Sequence, residues 1–400
     1  MPKANSVMTP FPATVVVALV LCAGCSSGIT DTGTRDGGTG TLDVDGSPDT
    51  GDSGPGGGGT RADDRDGDGF TRAEGDCNDN EPNANPGALD TPGNDVDEDC
   101  NGVVDDAVGS CDSAIVDLAD GDATHGAQAI GLCKVATDVS WGLLSAKYVK
   151  ADGTTGMNPK SHGLLPNFGP NVSPLEGTRM LALSSGTARR PGDPNYYPPT
   201  GETYMIPGGF NAGTFGPTPT GYPIDSPFCP GVSANYTTAV DPAALEIQVR
   251  VPTNSRSVRF RVKFYAGEFP SYVCKEYNDF FVALQDPPPP NALHGNVSFD
   301  AQGNAISVNN GLLDVCTPQS TGGKTFACPR GTAELSGTGY EGRGATGWLE
   351  TVTPVTPGTV VTFRFAIWDA KDGIYDALVL IDDFAFSAEE ASKPVTVPVI

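Results

Sequence analysis

Histidine, the side chain that acid–base catalysis uses most, is scarce here. The 400 residues include three histidines, five methionines and three tryptophans. His125, His162 and His294 are scattered, and past the leader no Gly-x-Ser-x-Gly elbow occurs, so a Ser-His-Asp hydrolase finds no support. No glycine-rich loop stands between a strand and a helix to cradle a phosphate. The eight cysteines beyond residue 25 contain no Cys-x-x-Cys, which leaves a thiolate zinc site nothing to build on. No apolar run reaches the length that crosses a bilayer. Bases are short as well: 24 Lys and Arg stand against 49 Asp and Glu, a net charge of −25 that argues against a nucleic-acid partner.

Glycine and proline are plentiful, at 52 and 35 residues, and favour many turns over long helices. The length leaves room for two or three domains. Lys3 precedes an apolar run from Ala13 to Ala23, followed by Gly24-Cys25-Ser26-Ser27. That is the layout of a secretory signal. It looks like a bacterial lipobox cleaved before Cys25, whose thiol and amino group would carry lipid, although Cys22 stands where Leu is usual. An ordinary signal peptide is the alternative. The expected order is a signal peptide over 1–24, a disordered Gly/Asp-rich tether over 25–62, an acidic loop module over 63–110, a β-domain over 111–387 and a loose tail over 388–400. The tether has almost nothing apolar to offset its ordering entropy.

The acidity is concentrated. Residues 31 to 110 carry 21 acids and 4 bases, whereas 111 to 400 carry 28 and 19. Within the acidic part, Asp64, Asp66 and Asp68 alternate and Gly69 follows. Asp97, Asp99 and Asn101 repeat the spacing, followed by Gly102 and then Asp105, with Asp95 just upstream. Alternate carboxylates closed by Gly let a loop wrap a hard cation, and the carbonyls of Phe70 and Val103 are then candidates for a further ligand. The bidentate Glu that closes an EF-hand at its twelfth position is missing. Gly75 falls there, between Glu74 and Asp76, so these are EF-like loops rather than EF-hands. A solvated acidic linker is the plain alternative.

Asp66 to Gly69, Gly75 to Cys77, Pro86 to Ala88 and Asp97 to Gly102 together resemble the MopE-type metal-binding motif. That family's label mentions copper. The segment has no His and no Met, and its hard oxygen donors point to calcium instead.

From Cys111 onward the composition becomes that of a folded domain. Asp122 is placed to cap a short Ala-rich helix running towards Cys133. Val258, Phe260, Val262 and Phe264 alternate with Arg259, Arg261 and Lys263, which predicts a half-buried strand with a basic outer face over Ser257 to Tyr265. Ala244 to Val251 alternates in the same way, and Thr359 to Trp368 is a further strand. Asp279 to Leu284 and Ala377 to Ile381 are apolar on both faces, as inner strands are. Pro191 to Pro230 reads as a long surface excursion. The fold class is mainly β, an antiparallel, jelly-roll-like sandwich. Ten cysteines suit an oxidising compartment. Past the leader, Cys77, Cys100, Cys111, Cys133, Cys229, Cys274, Cys316 and Cys328 allow 105 pairings, of which nearest-neighbour pairing is the simplest. In that pairing Cys77 and Cys100 staple the two acidic loops.

The runs 264–270, 272–274 and 277–281, then 354–358 and 366–377 leading into a last strand, resemble the choice-of-anchor L domain. The similarity spans roughly 120 to 386. It implies a secreted bacterial β-domain joined to a surface anchor, with no established activity. Glu268, Asn278, Asp279, Asp369, Asp372 and Asp376 all fall at strand ends in the two resembling segments. If they converge they form a second candidate cation site; otherwise they cap turns. A general acid/base pair of Glu268 and Asp279 would make the chain a carbohydrate-active hydrolase. The basic stripe, extended by Arg250, is a candidate for an anionic polymer or for simple solvation. Tyr196, Tyr197, Tyr204, Phe210 and Tyr222 are candidates to stack on sugars or to pin their loop. The sequence therefore leads to a lipid-anchored, calcium-binding surface protein whose sandwich meets a polysaccharide or a surface protein. Catalysis by strand-end carboxylates and a purely structural envelope role are the rivals.

Overall fold

Alternation of side chains builds the sandwich. The computed structural model describes residues 63–106, 109–199 and 213–399. The leader with Cys25, the segment up to residue 62, and Tyr204 and Phe210 lie outside the described residues. In chain order the strands are β1 (Gly142–Val149), β2 (His162–Leu165), β3 (Met180–Ser184), β4 (Phe215–Pro217), β5 (Thr238–Arg250), β6 (Ser257–Ala266), β7 (Phe280–Asp286) and β8 (Ile306–Ser307). There follow β9 (Leu313–Val315), β10 (Gln319–Thr321), β11 (Lys324–Phe326), β12 (Gly344–Thr346), β13 (Leu349–Pro354), β14 (Val360–Ala370), β15 (Ala377–Ser387) and β16 (Val395–Pro398). One sheet has the order β1-β5-β14-β7-β8, with β4 beside β5. The other has the order β16-β13-β6-β15-β3-β2, with β12 joining β6 to β9. The long pairings are antiparallel.

Val258, Phe260, Val262 and Phe264 of β6 point inward as their spacing predicts. With Leu245, Ile247 and Val249 of β5 and Phe363, Phe365 and Ile367 of β14 they fill the space between the sheets. Phe260 meets Phe365 across it, edge to face at 5.0 Å between ring centroids. Each such side chain stabilises the fold by roughly 1.5–3 kcal/mol. The outer face of the β5/β14/β7 sheet is covered too: Phe280, Val282, Ala366 and Trp368 pack with Tyr222. That second cover is why β7 reads as apolar on both faces. It also pins part of the proline-rich excursion to the sheet, with Tyr222 at 6.0 Å from Trp368. The single α-helix among the described residues, Ala123–Gln128, starts where expected, with the Asp122 side chain accepting from the Thr124 amide. No helix among the described residues is long and apolar enough to cross a membrane.

Two expectations are corrected. The tail is anchored, because β16 adds to the edge of the second sheet by pairing with β13. The basic face of β6 is neutralised rather than free. Arg259 binds Asp383 at 2.8 Å, Arg261 binds both Glu350 and Asp383, and the fully buried Lys263 lies against Glu334.

The four disulfides among the described residues join sequence neighbours: Cys77–Cys100, Cys111–Cys133, Cys229–Cys274 and Cys316–Cys328.

Candidate metal centre

The acidic module has little apolar material to bury, so hydrogen bonds to carboxylates shape it. In the first loop the Asp64 carboxylate accepts from the amides of Gly67 and Gly69, Asp66 from Asp68, and Asp68 from Phe70. The second loop repeats the scheme. Asp97 accepts from Asn101 and Gly102, Asp99 from Asn101, and Asn101 from Val103. Gly69 and Gly102 occupy matching places with φ of 95° and 89°, and a Cβ at either would meet nothing. The conformation, not lack of room, is what calls for glycine there. Cys77–Cys100 ties the two loops together, with 5.5 Å between the Cα atoms.

Two carboxylate triads result. Oxygens of Asp64, Asp66 and Asp68 lie within 4.8 Å of one another, and so do those of Asp90, Asp99 and Asp106. Asp76 lies outside the first triad but interacts with the charges of Asp66 and Asp68. Burial, and then the charge of Asp66, push its carboxyl above the ordinary range. Asp68 is raised too, by burial and then by Asp66 and Asp76. In the second group the hydrogen bond with Asp90 is the main cause raising Asp106. Burial alone would raise Asp90 as well, but bonds from Asp106 and from the amides of Asp99, Asp106 and Glu98 bring it below the usual value.

Glu74 and Asp105 of the expected ligand set are engaged with backbone amides outside the triads. Glu74 turns back on Thr71 to close a capping box. Asp105 accepts from the amides of Gly93, Asn94 and Asp95 and fixes that turn, in which Asp95 has φ of 61°. Asp97 accepts from its own loop amides as Asp64 does but lies outside the second triad, and the side-chain amide of Asn101 donates to Asp106 of that triad. Asp90 and Asp106 were missed because they lie outside the alternating pattern. The clue to them was an acid just after Pro86-Gly87-Ala88 and the doubled Asp at 105–106.

The donor set fits a hard cation. Asp66 Oδ2, Asp68 Oδ2, Asp76 Oδ2 and Asp106 Oδ1 are buried atoms without a hydrogen-bond partner. Such atoms call for a positive charge or a proton. Lys134 supplies one charge from the β-domain, with its Nζ 2.8 Å from Asp99 Oδ2.

The module is docked on the sandwich. Asn85 and Leu89 bond the Thr253 and Asn254 side chains, and the Thr253 amide donates to the Gly87 carbonyl. A Cβ on Gly87 would crowd Thr253 at 2.8 Å. The Pro-Gly-Ala piece therefore serves close packing.

The strand-end residues also converge in part. Glu268, Asp279, Asp369 and Asp376 are all buried, at 6% exposure or less. The Asp279 amide donates to Glu268, and Asp279 Oδ1 accepts from the Ala370 amide at 3.0 Å. Burial raises all four carboxyls well above the ordinary range, and their mutual charge adds to it for Glu268, Asp279 and Asp369. Asn278 is not part of this group: its Oδ1 accepts from the Asn309 amide. Asp372 stands half-buried at the rim.

Residues 76–106 match the family model described as "Putative metal-binding motif" and labelled Cu-binding MopE. The match takes in the Cys77–Cys100 pair and the second triad and stops short of the first. No curated protein matches the chain.

Proposed function

We propose that the chain is a bacterial cell-surface lipoprotein in which calcium has a structural role and the β-sandwich meets an extracellular ligand, a polysaccharide or a surface protein. Cys25 carries the lipid in this reading, and the sandwich is a choice-of-anchor L domain held at the membrane by that N-terminal anchor. The observation that carries the calcium part is the pair of oxygen-only triads with buried, unpartnered carboxylate oxygens. Copper favours nitrogen and sulfur donors, and residues 63–106 contain no His, no Met and no free thiol. Calcium neutralises the clustered carboxylates and fixes the two stapled loops against the β5–β6 turn. Extracellular calcium modules bind at about 10⁻⁴ to 10⁻³ M, so external calcium keeps such sites filled.

The hydrolase reading requires a sugar between Glu268 and Asp279, and both side chains are buried, at 4% and 1% exposure. Calorimetric titration of calcium into the oxidised full chain tests the proposal, with magnesium and copper as controls. Calcium-selective binding that Asp66→Asn/Asp99→Asn loses is the expected result. No uptake at millimolar calcium reduces the module to a solvated stalk.

A further inference from the structure

Away from the acidic loops, four strand ends bring carboxylates into the protein interior. Glu268 follows β6, Asp279 precedes β7, Asp369 lies near the end of β14 and Asp376 immediately precedes β15. Asp241 of β5, the strand paired with β14, adds its charge to that of Asp376 and is itself 2% exposed. No Lys, Arg or His among the described residues makes an ion pair with Glu268, Asp279, Asp369 or Asp376. The bases nearby are engaged outside the group: Lys371 pairs with Glu276, and Arg343 lies over the Tyr375 ring.

A buried group of acids is not by itself a site. Asp369 adds the second observation. It is 1% exposed, and neither of its oxygens has a hydrogen-bond partner of good geometry, because the nearby Ser185 hydroxyl is committed to the Ala377 backbone and the nearby Asp279 is another acid. Asp279 Oδ2 is orphaned in the same way. Buried polar atoms are rarely left so without water, an ion or a proton. The backbone is shaped to bring the acids in, since a Cβ on Gly186 would overlap the Asp376 carboxylate.

We infer that Glu268, Asp279, Asp369 and Asp376 form a second, buried site for a hard divalent cation of the calcium type, separate from the acidic loops. Calcium accepts six to eight oxygens in flexible geometry, so carboxylates from two loops and neighbouring carbonyls suit it. The four are spread more widely than the loop triads, and binding draws them together. The cation ties the β6–β7 loop to the β14–β15 hairpin. Above it lies a rim of aromatic rings, Tyr272 at 5.3 Å from both Tyr277 and Tyr375.

The test removes the acidic loops first. In the full chain carrying Asp66→Asn, Asp68→Asn, Asp99→Asn and Asp106→Asn, one calcium per chain is expected to remain by mass spectrometry of the metal. Terbium should then emit when tryptophan is excited, because Trp368 adjoins Asp369. Glu268→Gln or Asp279→Asn/Asp369→Asn in that background should remove both signals and the calcium-dependent rise in Tm. The terbium readout needs no change in the sandwich, so a misfolded sandwich variant does not blunt it. A loop-less chain that holds no calcium, gives no terbium emission and melts identically with calcium and chelator overturns the inference and leaves shared protons as the occupants. Either result is independent of whether the acidic loops bind calcium.

Discussion

Two groups of carboxylates in this chain are solved in opposite ways. In the acidic module the acids come from a short span of sequence, sit near the surface and accept from loop amides two to five residues on. At the sandwich edge the acids come from four strand ends across more than a hundred residues and sit inside, with few donors to meet them. Surface loops can tolerate clustered charge in water and use a cation to become rigid. Interior acids cannot stay charged without one. The same residue type therefore makes an adjustable loop in one place and a demanding packing element in the other.

The sharpest way to test that contrast is pH. Asp382 is fully buried in β15 and accepts from the Leu175 and Asp383 amides. Burial pushes its carboxyl up to about 7. A raised acid binds its proton more tightly in the folded chain than in the unfolded one. Stability is therefore highest below the ordinary carboxylate range and falls as pH rises towards 7, by up to about 4 kcal/mol at 1.36 kcal/mol per unit. Denaturant unfolding between pH 4 and 8 in saturating calcium should show that slope, and Asp382→Asn should flatten it. An unchanged slope in the variant would assign the effect to other groups.

The second prediction concerns the staple. Among residues 63–106 the buried apolar side chains are Ala84 and Ala88, so the module leans on Cys77–Cys100. Cys77→Ser/Cys100→Ser should destabilise the module by about 3 kcal/mol, in line with a loop of this length, and weaken calcium binding more than tenfold. The main melting transition of the sandwich should not move. A shared loss would show that the two regions are one cooperative unit.

The smallest effect is expected at Lys134, whose ammonium pairs with Asp99 at 2.8 Å and would compete with a bound cation there. Lys134→Met should tighten calcium binding a few-fold. Weaker binding would remove Asp99 from the ligand set.

Local pattern was legible, and long-range convergence was not. The core faces of β5 and β6 follow directly from alternation, and the four disulfides match the simplest of the 105 pairings, which spacing alone does not single out. The first triad was legible for the same reason, because Asp64, Asp66 and Asp68 are placed by their own loop. Asp90 and Asp106 were hidden, since each meets Asp99 through a turn the sequence does not announce. Strand β1 was missed because a bulge between Leu143 and Ser145 breaks its alternation. β2 and β3 are short runs buried on both sides and look like any apolar stretch. The neutralised basic stripe lay beyond sequence too: Asp383 and Glu350 reach it only through the pairing of β15 and β13 with β6.

In the proposed function, calcium turns residues 63–106 from a loosely held acidic segment into a rigid module. Amide hydrogen exchange on the oxidised full chain, followed by peptide with calcium, with copper and with chelator, tests it most directly. Marked protection of 63–106 is expected in calcium alone, greatest at the Gly67–Phe70, Asn101 and Gly102 amides that the carboxylates hold. Exchange of those peptides at one rate in all three conditions, or protection by copper instead of calcium, would contradict it.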